Sequence, residues 1–201
     1  MDLTEFASLT ISLFFLMDPL GNIPLYISTL KHLDKKKQKI IITRELLIAL
    51  FVIYLFAYLG EKILNVFNIS QSTLGIAGGL VLFIIAIQMI FPPSKETIPK
   101  HEKDPLIVPL AIPYVAGPSI LAAVMIFSNR VSNNLTLGLS IFTAWIFGFL
   151  ILIFSPSIQK LLTPKGVQAC ERLMGLILTL IAVQLFMEGI AEFALDCHRK
   201  I

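Results

Sequence analysis

A short polar segment, residues 18–24 with the sequence DPLGNIP, lies in the middle of the first long apolar stretch of this chain. Its prolines, Pro19 and Pro24, lack the amide that helical hydrogen bonding needs, and Gly21 tolerates backbone conformations that other residues avoid. The segment therefore predicts a helix that is broken inside a membrane. A helix that ends there offers unpaired carbonyls and a negative dipole end, so we expect the Asp18 carboxylate to attract a proton or a cation such as sodium.

A second segment of the same kind, residues 112–119 with the sequence IPYVAGPS, lies in the middle of the fourth apolar stretch. Pro113, Gly117 and Pro118 predict another break. The helices that begin near Asn22 and Ser119 would present free amides and positive dipole ends, with these two residues as candidate caps, and a carboxylate could bind there. The two breaks together suit a zwitterion such as an amino acid, although a bare cation would satisfy Asp18 equally well.

Three further polar residues are candidates for the same site. Tyr114 lies in the second segment, before Gly117 and Pro118, and corresponds to Asp18 in the repeat described below. Gln88 and Gln184 could line the site through hydrogen bonds, or could instead join neighbouring helices. Asp18 itself is open to a simpler interpretation, in which its carboxylate only pins the break. Glu188 is placed at the outer surface, and Gly75 and Gly79 are expected to serve close helix packing.

The elements that must position these residues are membrane helices. The chain has 201 residues, of which 56% are hydrophobic and 14% charged, with a mean hydropathy of +0.85. About twenty apolar residues suffice for one crossing, and six runs qualify, at residues 3–30, 40–59, 72–91, 106–127, 135–154 and 173–187. Continuous runs of this length indicate helices rather than barrel strands. The sequence thus predicts an all-α integral membrane protein with six transmembrane helices.

Charge in the connections predicts the orientation of these helices. Twelve of the sixteen Lys and Arg residues fall on one side of the predicted membrane and four on the other. The richer side is expected to be cytoplasmic, which places both termini outside. Acidic Asp2 and Glu5 argue that the first run is not a cleaved signal peptide. The net charge of +3 is too small for a nucleic-acid groove, and the scattered Cys and His residues predict neither a metal site nor a cofactor.

An internal repeat divides the chain into two halves. Residues 79–88 (GLVLFIIAIQ) and 175–184 (GLILTLIAVQ) are identical at six of ten positions, and the same offset of 96 residues carries Gly21 onto Gly117. We therefore expect a three-helix repeat at residues 1–91, a cytoplasmic linker at 92–105 and a second repeat at 106–201. An odd number of helices in each repeat makes the halves inverted, the plan of many secondary transporters, although a duplicated bundle without transport remains an alternative.

With the segments at residues 18–24 and 116–120 (AGPSI) in place, the sequence resembles the MarC family of bacterial and archaeal inner-membrane proteins over nearly its whole length. The resemblance implies six helices and a location in the plasma membrane. It also implies kinship with archaeal proteins of the NAAT group, which are regarded as transporters of neutral amino acids such as glycine and alanine.

The leading functional prediction is a secondary transporter of a small neutral amino acid or similar solute, driven by a proton or sodium ion at Asp18. One alternative is a membrane interaction or assembly factor without transport. Another is an intramembrane enzyme, which is disfavoured because such chemistry usually needs paired carboxylates, a metal or an activated nucleophile, and the sequence indicates one carboxylate without a partner. The bilayer, the solute and the coupling ion are the expected partners, and association of identical chains is left open.

Overall fold

A computed structural model describes residues 2–23, 26, 30, 33–91, 115–131, 133–155 and 164–199. Within these ranges the chain forms helices joined by turns, and no strand occurs. The helices are α1 (Leu3–Met17), α2 (Lys35–Val66), α3 (Gln71–Ile90), α4 (Pro118–Arg130), α5 (Asn134–Ile153) and α6 (Pro164–Arg199). The predicted linker at 92–105, together with Pro24, Pro113 and Tyr114, lies outside the described residues.

Four of these helices, α2, α3, α5 and α6, are long and apolar enough to cross a membrane, and α1 and α4 are shorter apolar helices. Many large apolar side chains, such as Phe51, Leu80 and Phe147, are exposed on the bundle surface. Because water would disfavour such a surface, it is the one expected to face lipid. The prediction of an all-α membrane protein is confirmed.

The predicted ends of the spans are accurate for two helices and wrong for two. α3 and α5 each begin and end within one residue of the prediction. The 32 residues of α2 and the 36 of α6 give lengths of about 48 and 54 Å, well above the roughly 30 Å of the hydrocarbon core. The predictions were too short because Lys, Glu and Gln at the flanks end an apolar run but favour helix.

Glycines bring α3 and α6 into close antiparallel contact. A Cβ atom on Gly79 would lie 2.9 Å from the carbonyl oxygen of Ala182, and one on Gly175 would lie 2.9 Å from that of Ala86. A Cβ on Gly75 would lie 3.4 Å from the Cα of Gly189. The packing role predicted for Gly75 and Gly79 is confirmed, because larger side chains would force the two helices apart.

Hydrogen bonds from side chains to backbone carbonyls join α5 to both α1 and α2. The indole nitrogen of Trp145 donates to the carbonyl of Leu46 (2.7 Å), and the hydroxyl of Tyr54 donates to that of Gly138 (2.8 Å). The hydroxyl of Ser140 donates more weakly to the carbonyl of Phe6 (3.4 Å). α5 thereby connects α1 and α2.

These contacts also define the ends of the bundle. The first turns of α1 and α5 lie at the same level, because Ser140 binds the carbonyl of Phe6. α4 ends at the same level, four residues before α5 begins. Arg130 at the end of α4 binds Glu188 and Glu192 near the end of α6. The start of α1 and the end of α6 therefore lie at one end of the bundle, which we call the termini end.

Candidate functional site

The helix α1 stops abruptly at the Asp-Pro pair. Met17 is its last residue, and Asp18 takes a left-handed backbone conformation (φ 44°, ψ 57°). The amide of Asp18 donates to the carbonyl of Phe15 (3.0 Å), a tighter pairing than the helical one. Since Pro19 has no amide to donate, the helical ladder cannot continue through it. The chain turns instead, and the Asp18 carboxylate is left beside the end of the helix.

The carboxylate is held by the turn itself. The amide of Gly21 donates to Oδ1 of Asp18 (3.1 Å), and the side chain is partly buried. A Cβ atom on Gly21 would collide with Oδ2 of Asp18 and would lie 2.5 Å from Cε of Met89 on α3. A larger residue here would therefore displace the Asp18 carboxylate and the end of the Met89 side chain. The hydrogen bond from Gly21 stabilises the turn through one oxygen of the Asp18 carboxylate, as the simpler interpretation of Asp18 predicts.

Asn22 binds the end of α1, a role that the sequence did not predict. Its side chain is buried, and its amide donates to the carbonyls of Met17 (3.2 Å) and Asp18 (2.9 Å). These are the carbonyls that were expected to attract a cation at the end of α1. Because Asn22 already binds them, the Asp18 carboxylate is the more available cation ligand in this turn.

A second carboxylate lies near the first. Glu171 of α6 is close enough to Asp18 for the two negative charges to repel each other. Sequence reasoning missed this neighbour because it began the last span at Leu173, whereas α6 begins at Pro164. The sequence predicts a single carboxylate here, and the charge of Glu171 acts on it as a second one. Repulsion between two negative charges is relieved when one of them binds a proton.

Three other elements surround the Asp18 turn. The ring of Pro19 approaches Gly148 of α5, where an added Cβ would lie 3.7 Å from it. Met89 of α3 covers Gly21, and Glu171 approaches from α6. The turn is therefore enclosed by helices from both halves of the chain.

The second segment is described only from residue 115 onward. Gly117 is the N-cap of α4, with Pro118 as the first helical residue, so the expectation of Ser119 as the cap is wrong. Proline suits this position because its missing amide would be unpaired in any case. Ser119 is buried in the first turn of α4, and α4 contacts α1. The first amides of α4 therefore lie in the protein interior.

The two glutamines occupy different environments. Gln88 lies on an exposed part of α3. Gln184 donates from Nε2 to Oε1 of Glu188 (2.7 Å). Gln184 and Glu188 line a cavity of about 340 Å³. The cavity lies between α1, α4 and α6 and is bounded by Ser12, Leu16, Ile126, Phe127, Leu180, Ile181, Gln184, Leu185 and Glu188. Its lining from α1 ends at Leu16, two residues before Asp18.

Comparison with known proteins places this arrangement in a family. The profile of the MarC family integral membrane proteins matches residues 3–194. The chain belongs to the MarC family. It is 46% identical over 190 residues to a UPF0056 membrane protein of Buchnera aphidicola subsp. Schizaphis graminum, covering 94% of this chain and 97% of the relative.

Other MarC relatives agree with this assignment. The UPF0056 inner membrane protein YhgN of Escherichia coli (strain K12) is 46% identical over 192 residues, covering 94% of this chain and 97% of YhgN. A UPF0056 membrane protein of Chlamydia muridarum is 33% identical over 187 residues, covering 91% of each chain. No solved structure matches. The chain is therefore a multi-pass membrane protein of the MarC family.

Proposed function

We propose that this MarC protein is a secondary transporter in the plasma membrane of a bacterium or archaeon, moving small neutral amino acids or similar solutes. A proton or sodium ion at Asp18 drives transport. The observation that carries the proposal is the Asp18 turn, because a carboxylate at a helix end inside a membrane bundle has a high energetic cost and usually marks an ion or substrate pathway.

The reciprocal contacts of α3 and α6 support two inverted repeats. Gly79 approaches the Ala182 carbonyl at the same distance at which Gly175 approaches the Ala86 carbonyl. Gly175 follows Gly79 by 96 residues, and Ala182 follows Ala86 by the same number. Exchanging the two halves therefore exchanges the two contacts. Transporters with inverted repeats alternate access by exchanging the conformations of their halves.

The backbone beyond Asp18 supports a broken first helix. The amide of Tyr26 donates to the carbonyl of Asn22 (3.0 Å), which is the spacing of an α-helical turn. The proposal places a corresponding break before Gly117, so that the first amides of α4 bind the carboxylate of the solute. Asp18 and Glu171 then lie where the coupling cation or the ammonium group binds.

Carriage of a cation, rather than catalysis, is the role we assign to the Asp18–Glu171 pair. A carboxylate pair can also serve acid–base chemistry. The Asp18 turn, however, has Met89 as its neighbour on α3 and Gly148 as its neighbour on α5. Neither contact brings a nucleophile to Asp18. We therefore propose that the protein is not an enzyme.

Uptake into proteoliposomes tests the transport proposal. Purified protein is reconstituted, and uptake of labelled glycine and alanine is followed under an imposed proton or sodium gradient. We expect gradient-driven uptake that Asp18→Asn abolishes. The matched control is Asp34→Asn, an exposed N-cap of α2 whose side chain makes no cap hydrogen bond. Equal uptake by Asp18→Asn and the wild type would refute the role of Asp18, and no uptake of any amino acid would refute the assigned solute.

A further inference from the structure

One end of the cavity is crossed by an ion-pair cluster that the proposed function does not use. Nη1 of Arg130 lies 2.5 Å from Oε2 of Glu188, and Nη2 of the same guanidinium binds Oε1 of Glu192. Gln184 donates to the other oxygen of Glu188. Residues 184, 188 and 192 are spaced four apart, so they lie on one face of α6. A single arginine thus joins α4 to two turns of α6.

The position of this cluster relative to the cavity is defined by both helices. α4 lines the cavity with Ile126 and Phe127, and Arg130 lies about one turn further toward the termini end. On α6 the lining of the cavity extends as far as Glu188, and Glu192 lies one turn further along the helix. The ion pairs therefore span the gap between α4 and α6 at the end of the cavity away from the Asp18 turn.

The cluster is held in place but can open. The side chains of Arg130, Glu188 and Glu192 are 41%, 36% and 36% exposed. Ion pairs with this much water around them are weak, since solvation offsets most of the attraction. A contact of this strength can break and form again in thermal motion, as a gate requires.

The sequence repeat does not reproduce this cluster in the other half. At the offset of 96 residues, the position of Arg130 corresponds to Asp34, that of Glu188 to Pro92 and that of Glu192 to Glu96. An aspartate cannot pair with a glutamate, so the sequence repeat carries no copy of this ion pair.

We propose that Arg130, Glu188 and Glu192 form an ionic gate that closes the cavity at the termini end. This inference rests on the proposed transport function for its purpose, but the closure itself is independent of transport. When the guanidinium releases α6, the α4 and α6 ends separate and the cavity opens toward the membrane surface at that end.

The test measures access to the cavity and needs no substrate. Cys170 and Cys197 are replaced by serine, and Ser12→Cys introduces a thiol into the cavity lining. The protein is placed in lipid nanodiscs, where both membrane faces are accessible, and alkylation by a bulky charged maleimide is timed. We expect Arg130→Ala to raise the alkylation rate about fivefold, the population change that corresponds to ~1 kcal/mol.

Three comparisons keep the test specific. Arg172→Ala removes an exposed arginine of α6 that is not part of the cluster and should leave the rate unchanged. The charge exchange Arg130→Glu with Glu188→Arg should restore slow alkylation, which separates a gate from general loosening of the fold. High salt should speed alkylation of the wild-type gate but not of Arg130→Ala, because salt screens the ion pairs.

Failure of the gate and failure of transport give different results. Equal alkylation rates for Arg130→Ala and the parent protein would overturn the gate, even if amino acids are transported. Faster alkylation without uptake of any solute would leave the gate in place and reject the transport function.

Discussion

The side-chain amide of Asn22 donates a hydrogen bond to the carbonyl of Met17, the last residue of α1, at 3.2 Å. The last carbonyls of a helix have no partner within the helix, and inside a membrane bundle water cannot supply one. Asn22 therefore replaces water at the point where α1 ends. The side chain of Asn22, rather than that of Asp18, thus binds the end of the helix. The Asp18 carboxylate remains available to a cation.

Asn22→Ala should lower the free energy of unfolding by about 1–3 kcal/mol, because the buried carbonyl of Met17 loses its side-chain donor and that of Asp18 keeps only the backbone amide of residue 22. Thermal unfolding in detergent measures the change. Asn129→Ala is the matched control, since this exposed asparagine also donates to a helix carbonyl, that of Met125, but water can replace it. A loss at Asn22 no larger than that at Asn129 would contradict the assigned role.

Gly79→Ala and Gly175→Ala should destabilise the protein by similar amounts, about 1–3 kcal/mol each, since each added methyl group meets a carbonyl oxygen at 2.9 Å. Gly148→Ala is the control, because its Cβ would meet the ring of Pro19 at an ordinary 3.7 Å. Thermal unfolding again provides the measurement. A large loss at one of the two glycines and none at the other would argue against a reciprocal α3–α6 contact.

The sequence predicts those parts of the fold that depend on local signals. Helices α3 and α5 begin after Ser70 and Asn133, whose side chains accept hydrogen bonds from amides of the first turn. Such caps and the apolar runs that follow them can be recognised in a sequence, which is why both helices were placed within one residue. The end of α1 likewise follows from Pro19 and its neighbours.

Long-range contacts could not be predicted in the same way. Hydropathy locates the apolar part of a helix but not its polar extension. The predicted last span therefore begins at Leu173 and does not include Glu171. The choice of Met17 and Asp18 as partners of Asn22 depends on the left-handed backbone at Asp18. The pairing of Arg130 with Glu188 joins residues 58 apart, and no local pattern predicts it.

Gly21→Ala should reduce uptake more than stability, because the added methyl group displaces the Asp18 carboxylate and then Met89, a flexible side chain that can move. Gly138→Ala is the control; its Cβ would lie 2.9 Å from the hydroxyl of Tyr58, an exposed side chain, and at an ordinary 3.9 Å from Cε1 of Tyr54. Initial rates of uptake and melting temperatures of both variants are compared. If Gly21→Ala transports at the wild-type rate, the position of the Asp18 carboxylate does not matter for transport.

Glu171→Gln should weaken cation coupling without abolishing it. Removing this charge leaves Asp18 as the single carboxylate at the turn, so a cation loses part of its electrostatic attraction. We expect the sodium or proton concentration for half-maximal uptake to rise about tenfold, which corresponds to ~1.4 kcal/mol, with little change in the maximal rate. Glu5→Gln, in the first turn of α1 and more than three turns before Asp18, should leave both values unchanged. A lower maximal rate at an unchanged half-maximal concentration would instead assign Glu171 to a conformational step, and no change in either value would remove it from the site.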